Sequence, residues 1–263
     1  MTAGERVRDD MLDEGRRLVD AARATGLTLR LLGGLAVREH CRSHELCERD
    51  YSDLDMVAPA KQARRLVAVF AGFGYAENFD VRTATVNAEM QFVRPCEHGG
   101  ASAPGAAHAD DHIDVFLNDF HMDHRIALTR RLEIEPYTVS LSDLLLTKLQ
   151  IFKLNEKDLR DIVTLLGDVE VGEEDGPGLV DGRYIGRLCA QDWGLFYDVT
   201  INLARVGERA LSFDLSDTQL ARLRRGVTRL IAAVDAAPKS VRWRLRARVG
   251  TRAAWHDEPD GQE

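Results

Sequence analysis

The sequence predicts an α/β domain, a mixed sheet flanked by helices, followed by an all-helical C-terminal domain. Three observations carry this. Leu29 to Val57 reads as a strand, a glycine pair, a helix, a loop and a second strand. Ile113 to Leu117 reads as a further strand, with Asp114 set between apolar neighbours. Beyond residue 181 the apolar spacing is helical throughout. The expected boundaries are 1–167 for the first domain, 168–181 for an acidic linker and 182–263 for the helical domain.

The elements follow in order. Residues 10–25 carry Leu12, Leu18, Val19 and Ala22 near helical spacing, and Gly26 stops that helix. The apolar run Leu29 to Leu32 ends at Gly33 and Gly34, and Leu35, Ala36 and Val37 open a helix. Residues 42–51 are polar and read as a loop. Asp53 and Asp55 alternate with Leu54 and Met56, the pattern of a strand with both acids on one face. Pro59 ends it, and a helix over 61–71 turns Leu66, Val67 and Phe70 to the sheet before Gly72 and Gly74. Tyr75–Phe79 and Glu89–Val93 read as short strands, with Val81–Ala88 as a hairpin connection or part of a longer pair. Residues 97–111 are rich in Gly, Ala and Pro and predict a mobile loop, either poised over a site or an insertion without a role. Short strands are expected at 132–134 and 137–139 around Pro136. Ser140 or Ser142 caps a leucine-rich helix over 141–154, and Asn155 separates it from a second over 156–166. Residues 168–181 hold six acids and no Lys or Arg, which marks the boundary. Helices are then expected over 182–205, 216–236 and 239–255, the last two divided by Pro238.

Composition narrows the class. The chain has the hydrophobic and charged fractions of a globular protein, 44% and 30%. No apolar run reaches the length of a membrane span, and the charged N-terminus lacks a signal-type apolar core, so a cytoplasmic location is expected. Four cysteines in 263 residues do not make a disulfide scaffold. The net charge of −8 is unevenly spread: residues 221–252 hold ten Lys/Arg against one acid, Asp235, leaving the remainder at −17. Such a split marks an interaction surface.

The chemistry concentrates in the first domain. A glycine pair before a helix lets backbone N–H groups face a phosphate. Adjacent carboxylates repel one another, and a cation between them relieves the cost; Mg²⁺ held by one or two carboxylates plus substrate phosphates meets that need. Together, Gly33-Gly34, Asp53-x-Asp55 and the separate Asp114 resemble the signature of the nucleotidyltransferase superfamily, and within it the AbiEii-like, toxin-type branch. The likeness spans about residues 27–166. It departs from the superfamily pattern in having glycine where serine is common and a longer gap from Gly34 to Asp53.

The resemblance implies a nucleotidyltransferase-like fold and transfer of a nucleoside monophosphate from an NTP to a hydroxyl, on an RNA end, a protein or a small molecule, with release of pyrophosphate. It implies Mg²⁺ (or Mn²⁺) on Asp53, Asp55 and Asp114, phosphates cradled by Gly33 and Gly34, and Lys148 offsetting charge on the leaving group. Asp114 would also help take the acceptor's proton. Lys148, Lys157, Asp158 and Asp161 match a lysine-bearing helix and a Lys-Asp-x-x-Asp helix of the family. Their bland reading is a solvent-facing lysine and an i,i+4 pair. The toxin-like branch also implies a cognate antitoxin. Arg242, Arg244, Arg246 and Arg248 suit either RNA phosphates or packing on the acidic body, leaving Val241, Leu245 and Val249 as a narrow apolar seam.

Three other readings compete: a catalytically silent binding protein with the same fold, an RNA-binding module, and a phosphotransferase using the same acids. His40, Cys41, His44, Cys47, Cys96 and His98 invite a zinc reading, but the spacing is not that of a Cys-x-x-Cys pair. His112, His121 and His124 flank the third acid as nucleotide contacts or exposed loop residues. No P-loop, dinucleotide fingerprint or hydrolase elbow is present.

Overall fold

The structure, a computed structural model, describes residues 3–42, 46–47, 49, 51, 53–85, 88–94 and 112–256. The proposed mobile loop at 97–111 lies outside them. The chain forms two compact units, each assembled from separated segments. The first comprises Met1–Glu39, Arg49–Phe120 and Ala127–Val139; the second comprises His40–Glu48, His121–Ile126 and Ser140–Glu263. Residues 168–181, read from sequence as a linker, lie inside the second unit. Among the described residues no helix is long and apolar enough to cross a membrane.

The first unit is a mixed α/β layer. Its elements are α1 (Ala3–Ala24), β1 (Arg30–Leu31), α2 (Gly33–His40), β2 (Leu54–Ala58), α3 (Ala63–Gly72), β3 (Ala76–Asn78), α4 (Phe79–Ala84), β4 (Glu89–Val93) and β5 (His112–Leu117). The five strands make one sheet in the order β1-β2-β5-β4-β3. β2 and β5 run parallel and the other neighbours are antiparallel. Strand periodicity buries one face: Met56, Met90, Phe92, Ile113 and Val115 are sealed from solvent. Leu18, Val19 and Ala22 of α1 and Leu66 and Phe70 of α3 complete this core. Phe70 stacks on Phe92 at 3.9 Å between centroids. At Gly15 a Cβ would meet Leu31 Cδ2 at 2.7 Å, so glycine lets α1 lie close on the sheet. The stretch Val81–Ala84, read as part of a hairpin, is instead the end of helix α4, capped by the Asn78 side chain. The strands expected at 132–134 and 137–139 reduce to an isolated bridge of Thr138 to Leu31. Two short strands, β6 (Asp119–His121) and β7 (Arg125–Ala127), follow β5 along the chain.

The second unit is mainly helical. It contains α5 (Leu141–Leu149), α6 (Glu156–Asp168), β8 (Glu170–Gly172), β9 (Leu179–Asp181), α7 (Gly182–Cys189), α8 (Trp193–Arg209), α9 (Asp217–Ala236) and α10 (Val241–Val249). Each helix begins on a capping side chain: Ser140, Asn155, Asp181, Asp192, Ser216 and Ser240. The acidic stretch contributes the parallel pair β8–β9. Its Glu170 faces Arg222, Arg225 and Arg229 of α9 at 3.1, 3.5 and 3.8 Å, so part of the basic segment is neutralised within the unit. The helix expected over 182–205 is broken into α7 and α8, because Asp192 caps a new start. Cys41 and Cys47 are joined by a disulfide.

α7 and α9 approach so closely that a Cβ on Gly186 would stand 2.5 Å from the Ala233 carbonyl oxygen. Backbone cannot yield as a flexible side chain does. Gly186→Ala is therefore expected to destabilise the protein by about 1–3 kcal/mol, read as a lowered midpoint in urea unfolding with little change in slope.

Candidate functional site

The polar face of the first unit's sheet carries the site. Asp55 on β2 pairs in register with Asp114 on β5, and Asp114 with Gln91 on β4. Gln91 pairs in turn with Asn78 on β3. Residues in register point to the same side, so four polar side chains form one row across four strands. Hydrogen bonds run along it. The Asn78 amide donates to Gln91 Oε1 at 2.9 Å, and the Gln91 amide donates to Asp114 Oδ1 at 3.0 Å. The other Asp114 oxygen lies 3.3 Å from His112 Nε2.

Glu89 stands two residues from Gln91 on the same face of β4. Burial, then the charges of Asp114 and Asp55, push its carboxyl up to about 7, with His112 opposing. Sequence reading placed 89–93 in a strand and passed over this acid. The alternation Glu89-Met90-Gln91-Phe92 was the available signal, since burying Met90 and Phe92 turns Glu89 and Gln91 to the polar side.

The glycine pair sits over the row. Gly33 has φ of +65°, in the left-handed region, and a Cβ there would lie 2.1 Å from Asp55 Oδ2. Only glycine lets the turn come down onto that carboxylate. A Cβ on Gly34 would lie 2.0 Å from Nη2 of Arg49. The Arg49 guanidinium also covers the Tyr51 ring at 4.2 Å. The long connection between Gly34 and Asp53 thus returns a cationic group to the glycine turn, which its polar composition alone did not reveal.

The other expected residues are placed as follows. Asp53 is exposed on the residue before β2. Lys148, on α5, is nearly buried in the second unit and pairs with Asp158 at 2.8 Å and Asp161 at 3.1 Å. Burial by itself would lower its pKa, but the two aspartates hold it above the ordinary lysine value. Asp158 and Asp161 thus face Lys148 rather than Lys157. His124 is buried and bonded to Asp198 at 2.8 Å in the second unit, while His121 is exposed. Cys41 and Cys47 bond to each other, His40 is lowered to about 4 by burial, and His44, Cys96 and His98 lie outside the described residues. Of the four arginines assigned to RNA, Arg244 donates to the Lys239 carbonyl and Arg246 to those of Gly250, Ala253 and Ala254.

Asp55, Asp114 and Glu89 offer hard carboxylate oxygens, the ligand type Mg²⁺ takes, on one face of the sheet. No group of three His, Cys, Asp or Glu side chains among the described residues is arranged to hold a metal ion.

No protein-family model and no curated protein sequence matches the chain. A solved structure, an antigenic nucleotidyltransferase-like protein from Paracoccidioides brasiliensis, is similar to it with a TM-score of 0.42 and 11% sequence identity, over 88% of this chain and 95% of that one. A likeness of that size says nothing of activity.

Folding favours the neutral Glu89 carboxyl, because its pKa of about 7 lies above the free value of 4.5. That contribution is complete below about pH 4.5 and is lost as pH rises through about 7. In metal-free buffer Glu89→Gln, which mimics the neutral acid, should match the wild-type melting temperature near pH 4 and exceed it at pH 8. Equal melting at both pH values would contradict the assignment. Lys148→Ala leaves buried Asp161 and half-buried Asp158 without their shared cation and should cost about 3 kcal/mol of stability in denaturant unfolding.

Proposed function

We propose that the chain is a nucleotidyltransferase of the AbiEii-like, toxin type, moving a nucleoside monophosphate from an NTP to a hydroxyl acceptor and releasing pyrophosphate. The observation that carries this reading is the in-register pairing of Asp55 with Asp114 beneath the Gly33-Gly34 turn. Gly33 and Gly34 admit phosphate oxygens to the backbone at the start of α2, and Arg49 beside Gly34 offers them a positive charge. Asp55 and Asp114, joined by Asp53, would hold Mg²⁺ or Mn²⁺, with Glu89 as a further carboxylate on the same face. The bound ion supplies charge neutralisation for the phosphates.

The acceptor oxygen forms the new bond to the α-phosphorus, the bond to the bridging oxygen breaks, and pyrophosphate leaves with its electron pair. The hydroxyl proton passes to Asp114, whose carboxylate Gln91 and His112 keep oriented. Lys148, engaged by Asp158 and Asp161, acts by ordering α5 against α6 rather than on the nucleotide. An RNA end is the preferred acceptor, and a cognate antitoxin the preferred partner.

A second reading, a binding protein with this fold and no turnover, is favoured by the absence of a metal-holding trio among the described residues. Incubation with each α-labelled NTP, Mg²⁺ and total cell extract separates the two. The expected result is one labelled macromolecule, with labelling reduced about a thousandfold in Asp55→Asn and Asp114→Asn, equivalent to about 4 kcal/mol of transition-state stabilisation. NTP binding that ignores both Mg²⁺ and Asp55 would support the silent binder, and release of NDP would support a phosphotransferase.

A further inference from the structure

The second unit contains a cavity of about 550 Å³ between the start of α8, α10 and the segment 254–256. Trp193, Trp243 and Trp255 all line it. They are the only three tryptophans of the chain. The volume falls in the range of small-ligand pockets.

The walls are held in place from behind. Glycine at 194 lets the C-terminal segment close onto α8, since a Cβ there would lie 2.3 Å from the Trp255 carbonyl oxygen. Trp193 stacks on Tyr197, with centroids 5.2 Å apart, and the Arg246 guanidinium covers its ring at 4.8 Å. Three backbone carbonyls fix Arg246. The Trp255 indole N–H donates to both oxygens of buried Asp198 at 3.1 Å, and His124 bonds the same carboxylate. Asp192 also lines the cavity, but its carboxylate accepts the N–H groups of Gly194 and Leu195 as the cap of α8. The Trp243 indole N–H is buried and has no acceptor among the described residues.

The rim is different in kind. Arg242 lines the cavity, and Arg248 follows on the same helix. Among the described residues neither makes a hydrogen bond or ion pair, unlike Arg244 and Arg246. Leu245 and Val249, also lining the cavity, stay 56% and 43% exposed. Tyr197 and Arg246 already cover Trp193, which leaves Trp243 and Trp255 as the planes for stacking. With an apolar rim and uncommitted guanidiniums they match the chemistry of a single strand, in which base faces and phosphates are both presented. A duplex hides its base faces.

We propose that this cavity seats one nucleobase of a single-stranded nucleic acid, with the adjoining phosphates on Arg242 and Arg248. The transferase reading is deepened by it, because it names the class of acceptor; the binding itself does not depend on transfer.

Because every tryptophan lines the cavity, intrinsic fluorescence reports on it directly. The full chain is titrated with a single-stranded oligoribonucleotide of about ten residues. The expected result is saturable quenching, an affinity about tenfold weaker in Arg242→Ala/Arg248→Ala, and a logarithmic salt slope shallower by about 1.4 in that variant. The unbound variant should keep the wild-type circular dichroism and emission. Asp55→Asn should quench as the wild type does. Absence of saturable quenching at low salt would overturn the proposal. So would equal quenching by a duplex, unchanged affinity in the double arginine variant, or half-saturation by free NTP at the same concentration as the strand. Quenching without label transfer leaves this proposal standing and removes the transferase reading. Label transfer without quenching does the reverse.

Discussion

Neighbouring strands of a sheet lie about 4.8 Å apart, so acids in register on two of them project side by side from one face. The β2–β5 pairing sets Asp55 beside Asp114 in this way, and the rest of the first unit is arranged around the resulting repulsion. Gln91 and His112 each take one oxygen of Asp114. Burial, reinforced by the charges of Asp114 and Asp55, pushes the Glu89 carboxyl up to about 7. Gly33 lets backbone descend onto Asp55 where any side chain would collide. The opposite face is a closed apolar layer built on Phe70, Phe92 and Met90.

The second unit resolves its charges differently. Buried Lys148 is matched by two aspartates, and buried Asp198 is matched by His124 and the Trp255 indole. Asn202 closes the end of α5 by donating to the carbonyls of Leu149 and Ile151. Glu170 neutralises arginines of α9. These pairings account for much of the charge asymmetry along the chain as internal order. Among the cations they leave over are two guanidiniums of α10, Arg242 and Arg248, beside the exposed apolar edge of Leu245 and Val249.

Legibility varied with the range of the interaction. The helix start at Ser140 was readable because a cap is a local hydrogen bond between a side chain and N–H groups two or three residues on. The strand character of β2, β4 and β5 was readable from alternation. Helix α4 was not, since its tendency depends on Asn78 capping a segment that alternation alone reads as extended. The disulfide of Cys41 with Cys47 was not readable either, because spacing does not determine which sulfurs meet.

Sequence by itself set Asp55 opposite the buried face of its strand, because a strand's period of two is local and the apolar neighbours Leu54 and Met56 settle its phase. It also determined the glycine turn and the helical character of the chain beyond residue 181. Only the tertiary structure decided that Asp55 is adjacent to Asp114, that Glu89 joins them, and that Lys148 turns to Asp158 and Asp161. Strand order and helix packing join residues far apart in the chain, and the free energy that selects them is shared among many apolar contacts rather than written in any one segment.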